Sequence, residues 1–142
     1  MPSAIAQAQA GRIFIGRLAN GSDLVDEIEH FCSEHSVRAG WVNLVGAVRR
    51  VTFAYYDQAE HRYLEMASDS HRELSGFVGN ISLRDDRPFL HAHATFADAS
   101  GATVGGHLLR GTEVFVAELT ITELTDVSLV RTLDEETGLA LW

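Results

Sequence analysis

The fold of this chain is decided by the segment Phe89-Leu90-His91-Ala92-His93-Ala94-Thr95-Phe96 and by the residues that follow it. Its even-numbered residues from Leu90 to Phe96 are apolar, and they alternate with polar ones as in a strand that faces a core on one side. His91 and His93 then lie on the opposite face, about 7 Å apart at Cα. The segment therefore predicts a half-buried strand that carries two neighbouring imidazoles.

A tight turn, Asp98-Ala99-Ser100-Gly101-Ala102, returns the chain to a second strand, Thr103 to Leu109. A three-residue loop that ends at Gly101 would give this glycine the left-handed conformation that such loops require. This register places His93 directly opposite His107, with Cβ atoms about 5 Å apart. Three imidazoles would then share one face of one hairpin.

Three histidines in this arrangement, His91, His93 and His107, are what a three-histidine metal site requires. Imidazole nitrogen suits Zn(II) and also Ni(II), Cu(II) or Fe(II), and three protein ligands leave one coordination position open. Gly105 and Gly106 remove side chains beside the site, which would let a ligand or another backbone approach. The alternative is a polar sheet face whose histidines bind partner groups or nothing. We expect Zn(II) or another divalent metal ion.

The rest of the chain predicts one amphipathic helix and about eight short strands. A first strand, Arg12 to Leu18, precedes a helix of about four turns whose apolar residues run from Leu24 to Cys32. Beyond the helix the period is two, and the predicted strands are Trp41 to Val48, Arg50 to Tyr56, Arg62 to Met66, Glu73 to Val78, Asn80 to Leu83, Phe89 to Phe96, Thr103 to Leu109 and Glu113 to Leu124. This pattern indicates an α+β domain with a mostly antiparallel sheet.

The chain reads as one domain. We expect a flexible N-terminal segment over residues 1–10 and a single domain over residues 11–142. Near the end, Asp134-Glu135-Glu136 is most simply a solvated turn. No apolar run approaches the length of a membrane span, and residues 1–10 lack the pattern of a signal peptide, so the cytoplasm is the expected location.

Composition excludes several classes of function. The 142 residues include 11 basic and 20 acidic ones, for a net charge of -9. All 11 basic residues are Arg, so lysine Schiff-base chemistry and a P-loop lysine are excluded. The negative charge argues against DNA binding, which depends on Lys and Arg contacts to phosphate. The one cysteine, Cys32, falls on the apolar helix face and is expected to be a buried structural thiol.

Two carboxylates are weak candidates for catalysis or for orienting the histidines. Asp98 and Glu118 could accept the second N–H of a ligating imidazole or act as a general base. For Glu118, alone in an apolar strand, a buried or interface hydrogen bond is the stronger expectation. No serine triad and no phosphate-binding glycine loop can be argued from the sequence.

The hairpin and its surroundings resemble the plant and prokaryote conserved (PPC) domain, also known as the domain of unknown function DUF296. The histidine pair of Leu90-His91-Ala92-His93 and the Gly105-Gly106-His107 triplet match its motifs. The resemblance extends over nearly the whole chain, through Gly16-Arg17-Leu18, Trp41 to Val48, Glu73 to Ser82, Ala117-Glu118-Leu119 and Asp134 to Leu139.

The resemblance implies a compact α/β sandwich-like domain that assembles as a trimer. Prokaryotic members are free-standing domains in which the histidines that correspond to His91, His93 and His107 can hold zinc. Plant members carry AT-hooks that bind DNA, but this chain has no Arg-Gly-Arg-Pro hook and no basic tail. The leading expectation is therefore a metal-binding homotrimer that works by binding a small molecule or a protein partner, with no enzymatic activity required.

The fold also looks distantly similar to that of acetolactate decarboxylase. The alternative function is therefore a zinc-dependent lyase or hydrolase with Glu118 or Asp98 as base.

A second set of apolar residues needs another layer to cover it, and association into a trimer would supply that layer. Its candidate members are Val45, Phe53, Tyr55, Phe115, Ala117, Leu119 and Ile121.

Overall fold

The computed structural model describes residues 4–142, which form nine strands and one helix. The elements are β1 (Gln9–Arg17), α1 (Leu24–Glu34), β2 (Gly40–Asp57), β3 (Arg62–Ser68), β4 (Arg72–Arg84), β5 (Arg87–Ala97), β6 (Thr103–Leu108), β7 (Glu113–Thr125), β8 (Thr132–Asp134) and β9 (Leu139–Leu141). The predicted class, one helix with a mostly antiparallel sheet, is confirmed.

Seven strands form one antiparallel sheet in the order β1-β7-β2-β4-β5-β6, and β3 pairs with the second half of β2. The end of β2 also pairs with β6, through Phe53 with Leu108 and Ala54 with His107. The strands β2, β4, β5 and β6 therefore form a closed circuit of pairings. This closure brings the end of β2 beside the histidine hairpin.

The helix covers the other face of the sheet from the one that carries the histidines. Asp23 caps it by accepting hydrogen bonds from the backbone N–H groups of Val25 and Asp26, both at 3.0 Å. The helix has 11 residues, or about three turns rather than the four expected. Its apolar stripe packs into a core with residues of every long strand, among them Leu44, Phe53, Phe77, Phe96, Val114, Ala117 and Ile121.

Several predicted strand boundaries were wrong because pairing continues through residues that looked like breaks. The predicted strands Trp41 to Val48 and Arg50 to Tyr56 are one strand, β2, and its ladder with β7 shifts register there instead of ending. Glu73 to Val78 and Asn80 to Leu83 are likewise one strand, β4, because Gly79 pairs with both Val42 and Ala92.

Near both ends of the described residues, strands include positions that the sequence did not assign to strands. Strand β1 begins at Gln9, ahead of the expected domain start at residue 11, because Gln9 and Ala10 pair with Thr125 and Leu124. In the segment expected to be a solvated turn, Glu135 and Glu136 are exposed turn residues, and this turn connects the strands of the small hairpin β8–β9. Asp134 is buried there and accepts a 2.5 Å hydrogen bond from the Thr137 hydroxyl.

One face of the sheet lacks a covering layer. Of the seven apolar residues expected to need cover, Val45, Tyr55 and Phe115 are exposed, and the other four are not. Phe53, Ala117 and Ile121 are buried in the core, and Leu119 packs against it. The exposed apolar side chains of this face follow the alternation of β1, β2 and β4, and they are Ile13, Ile15, Trp41, Val45 and Val78. We name this set the open apolar face.

No helix within the described residues is long and apolar enough to cross a membrane.

Candidate metal centre

The histidine hairpin has the predicted register. His93 pairs with His107 across β5 and β6, and Ala97 pairs with Thr103. Gly101 adopts the left-handed conformation, with φ of 83°. Because the register is correct, the structure brings His91, His93 and His107 to one face of the sheet.

The two glycines before His107 allow other backbones to approach. A Cβ atom on Gly105 would lie 2.1 Å from the carbonyl oxygen of Ala94 in β5, and one on Gly106 would lie 2.6 Å from that of Ala54 in β2. Real Cβ atoms do not occur so close to a backbone oxygen. The sequence left open whether these glycines allow the approach of a ligand or of another backbone. The structure shows the approach of another backbone.

The three imidazoles converge. Their ligand nitrogens all lie within 4.8 Å of one another, and their ring centroids are 5.1 to 5.7 Å apart. A zinc ion with Zn–N distances of about 2.0–2.1 Å holds its ligand nitrogens about 3.4 Å apart in tetrahedral geometry. The rings would therefore need only small side-chain movements to reach one ion.

The protonation of the rings also fits a metal ion. Burial, with the positive charge of Arg131 and the neighbouring His93, lowers the pKa of His91 to about 4. Burial and the other two histidines lower the pKa of His107 to about 4. Both rings are therefore neutral at pH 7 and offer nitrogen lone pairs, which is the form that binds metal. On this observation, the residues fit a divalent ion that imidazole favours.

One arginine beside the histidines, Arg131, was not predicted from the sequence. The Arg131 guanidinium is buried, and its Nε donates to Ser82 Oγ at 2.7 Å. Nη1 donates to the Ala140 carbonyl at 2.9 Å and Nη2 to Asn80 Oδ1 at 3.1 Å. Nη2 also lies 3.5 Å from His91 Nδ1. Arg131 therefore links β4, the β8–β9 hairpin and the first histidine.

The histidines line an open cleft of about 760 Å³. The floor comes from β2, β5 and β6, and Tyr63 of β3 lies against His107 with ring centroids 4.8 Å apart. The β8–β9 hairpin forms the opposite wall with Leu133 and residues 138–141. Volumes of this size are typical of small-molecule sites.

The two candidate carboxylates do not line this cleft. Glu118 is exposed on β7, where its cross-strand neighbours are Arg17 and Val45. Asp98 sits at the hairpin turn, and its carboxylate accepts hydrogen bonds from the Ser100 hydroxyl and backbone N–H and from Ala102 N. These bonds, led by that of the Ser100 hydroxyl, hold the pKa of Asp98 below its usual value. Its contacts are those of a turn-forming residue.

Cys32 is fully buried in the core. Burial, with the nearby Glu29 carboxylate, raises the pKa of its thiol to about 12. The thiol is thus protonated at neutral pH and unreactive, as expected of a structural cysteine.

The fold, the histidine hairpin and the sequence together define a class of protein. The Plants and Prokaryotes Conserved (PCC) domain matches residues 5–125. The chain belongs to this family, as the sequence motifs indicated.

Three relatives are similar to this chain in sequence, and two of them have solved structures with the same fold. The metal-containing protein of Archaeoglobus fulgidus shares 35% identity over 99% of both chains, with a TM-score of 0.94. The plant- and prokaryote-conserved (PPC) protein of Pyrococcus horikoshii shares 31% identity over 99% of this chain and 96% of that one, with a TM-score of 0.93. Bifunctional protein GlmU of Synechococcus sp. (strain JA-3-3Ab) is 34% identical over 129 residues, which are 89% of this chain and 20% of GlmU. The chain thus spans about a fifth of that curated relative.

More distant structures share the fold alone. A candidate DNA-binding protein of Bacteroides thetaiotaomicron matches with a TM-score of 0.84 at 23% identity, over 94% of this chain and 95% of that one. A Staphylococcus aureus protein of unknown function, similar to alpha-acetolactate decarboxylase, matches with a TM-score of 0.54 at 17% identity. That match covers 81% of this chain and 53% of the other, and it agrees with the distant similarity inferred from the sequence.

Proposed function

We propose that this protein is a metal-binding PPC-domain protein, with a single domain over residues 11–142. His91, His93 and His107 hold Zn(II) or another divalent ion, with nitrogen–metal distances of about 2.0–2.2 Å. The observation that carries the proposal is the convergence of three imidazoles in one cleft. The description of the Archaeoglobus fulgidus relative as metal-containing supports it.

The protein acts by binding, and its partner is a small molecule or another protein. Within the described residues, the cleft has aromatic and aliphatic walls and two arginines but no carboxylate beside the histidines. A net charge of -9 opposes the approach of nucleic acid, so DNA is not the proposed partner. One unpaired, buried cysteine is compatible with a reducing compartment, and we place the protein in the cytoplasm.

The test is the metal content of the purified protein. The protein, stripped with chelator and then dialysed against micromolar zinc, should retain about one zinc per chain by elemental analysis. His93→Ala should lower the zinc content several-fold, because two remaining imidazoles bind zinc weakly. A protein that takes up no zinc or other divalent ion would contradict the proposal.

The matched control is His71→Ala. His71 is an exposed histidine outside the cleft, so its loss should leave the zinc content unchanged. Equal losses of zinc in His71→Ala and His93→Ala would show that the ion binds to surface histidines instead. Far-UV circular dichroism of each variant checks that the sheet is intact.

A zinc-dependent lyase or hydrolase is the second candidate function, favoured by the contact of Arg131 with His91 inside a cleft of substrate size. Neither Glu118 nor Asp98 lines that cleft, so such an enzyme would need another residue to transfer the proton. Three tyrosines, Tyr55, Tyr56 and Tyr63, line the cleft. Burial raises the pKa of Tyr63, so its hydroxyl is protonated at neutral pH and does not act as a base.

We also propose that the functional unit is a homotrimer. The open apolar face needs a covering layer, and cyclic closure supplies one without forming open-ended filaments. Cross-strand pairing places Val78 beside His93 and Asn80 beside His91, so the face adjoins the histidines. In a trimer formed through this face, the metal sites would lie near subunit boundaries.

A further inference from the structure

The wall of the cleft beside the histidines carries two positive charges. The guanidinium carbons of Arg84 and Arg131 lie 4.9 and 5.2 Å from the centroid of one ring, that of Phe89. Both arginines line the cleft, and none of the described residues that line it is Asp or Glu. Two positively charged side chains therefore contact the same aromatic ring, and no carboxylate of the cleft walls balances their charge.

The two arginines differ in how their donors are used. Arg131 directs its donors to Ser82, Asn80 and Ala140, so its role is to hold the wall together. Within residues 4–142, the Arg84 side chain contacts the Phe89 ring and makes no hydrogen bond or ion pair. The N–H groups of Arg84 are therefore available to a ligand.

Nearby acids do not neutralise Arg84. Asp85 and Asp86 form the turn between β4 and β5, and neither lines the cleft. Asp86 lies 3.4 Å from the Arg38 guanidinium instead. Imidazole ligands carry no negative charge, so a bound divalent ion would raise the positive charge of the cleft further.

We infer that the cleft binds a small organic dicarboxylate, with one carboxylate on the ion that the histidines hold and the other on Arg84. This inference rests on the proposed metal site. Guanidinium groups match carboxylates in shape and charge, and the apolar wall of Leu133, Leu139 and Leu141 suits a short carbon skeleton. Phosphate is the less suitable anion, because no helix N-terminus among residues 4–142 lines the cleft. The space beside Gly105 and Gly106 is filled by the backbone of neighbouring strands, so these glycines do not form a phosphate loop.

The test is isothermal titration calorimetry of the zinc-loaded protein with malonate, succinate and glutarate, with the zinc content measured before and after each titration. At least one dicarboxylate should bind saturably while zinc stays in place. The uncharged diamide of the same acid and inorganic phosphate should bind at least tenfold more weakly. Arg84→Gln should weaken dicarboxylate binding about tenfold or more, since it removes charge-assisted hydrogen bonds to one carboxylate.

The matched control is Arg87→Gln, which removes the same charge from the same β4–β5 hairpin outside the cleft. Arg87→Gln should bind as the unmodified protein does, and Arg84→Lys should keep part of the affinity. Zinc-loaded protein that binds none of the three dicarboxylates, or that binds phosphate as tightly, overturns this inference and leaves the metal site standing. Equal effects of Arg84→Gln and Arg87→Gln also overturn it. Failure to load zinc overturns both.

Discussion

At the scale of single residues, Gly105 fixes how closely β6 approaches β5. The Cβ atom of an alanine at this position would overlap the Ala94 carbonyl oxygen, and Thr95 Cα would lie only 2.9 Å away. Because both atoms belong to the backbone, no side-chain rotation can relieve the overlap. The pairing of His93 with His107 in the same hairpin therefore depends on this glycine.

We predict that Gly105→Ala lowers the free energy of unfolding by about 2–3 kcal/mol, the usual cost of overpacking a closed site. Urea unfolding followed by tryptophan fluorescence measures this change. Gly16→Ala is the matched control, because its new Cβ would meet only Leu119 Cδ2, at 3.8 Å. The control should change stability by less than about 0.5 kcal/mol, and equal losses in the two variants would contradict the argument.

The residues of the site were predictable to different degrees for physical reasons. His91, His93 and His107 lie in one hairpin, so strand alternation and a turn rule are enough to align them. Arg131 reaches His91 from 40 positions away through tertiary packing alone. No local pattern around Arg131 signals that its guanidinium is buried, so this residue had to come from the structure.

At the scale of elements, the ion pair between Arg12 and Glu123 stabilises the attachment of β1 to the sheet. Arg12 of β1 donates to Glu123 of β7 from Nε at 2.8 Å and from Nη2 at 2.6 Å, and Arg12 N donates to Glu123 Oε2 at 3.1 Å. Arg12 also donates to the His35 carbonyl at the end of α1. This pair thus joins β1, β7 and the helix.

The Arg12–Glu123 pair should make stability depend on pH. The hydrogen bonds from Arg12 hold the pKa of Glu123 below its ordinary value of 4.5. A carboxyl whose pKa is lower in the folded state stabilises that state fully above the ordinary pKa, and the contribution is lost as pH falls through the folded pKa. The effect of the pair is therefore present at pH 7 and weakens below about pH 4.5.

We predict that Glu123→Gln lowers the free energy of unfolding by about 0.5–1 kcal/mol at pH 7. The difference from the unmodified protein should shrink as the pH is lowered toward 3, because Glu123 is then protonated in both states. Urea titrations at pH 7, 5 and 3 measure it. Glu65→Gln in β3, an exposed position with no ion pair to any described residue, should show no such dependence. A pH-independent difference for Glu123→Gln would contradict this account.

The lengths of β2 and β4 could not be predicted from the sequence pattern. Arg49 and Gly79 interrupt the apolar alternation, but β2 and β4 pass through both positions without a break. A long strand with neighbours on both sides keeps its hydrogen bonds across a bulge, so a local irregularity need not end it. The class of the fold was therefore predictable from the sequence, while the extent of its longest strands depended on pairing between distant segments.

At the scale of the whole molecule, the sheet is covered by the helix on one face and lacks such a layer on the other. On the open apolar face, Ile15 is 83% exposed, and Val45 and Val78 are each 62% exposed. A group of apolar side chains this exposed is typical of an interaction surface. The face adjoins the three histidines through Val78 and His93, so its covering layer would also close one side of the cleft.

We predict that the protein sediments at three times 15.6 kDa at micromolar concentration. Val45→Glu should convert it to a folded 15.6 kDa species, because a charge would enter the buried interface beside its cross-strand neighbour Glu118. Leu119 is unsuitable for this test, since it packs against the core and its replacement would affect folding. Ile5→Glu, a change of the same kind at a position 95% exposed ahead of β1, should keep the larger mass. A 15.6 kDa species from the unmodified protein would rule out the trimer, and an unchanged mass for Val45→Glu would place the interface on another surface.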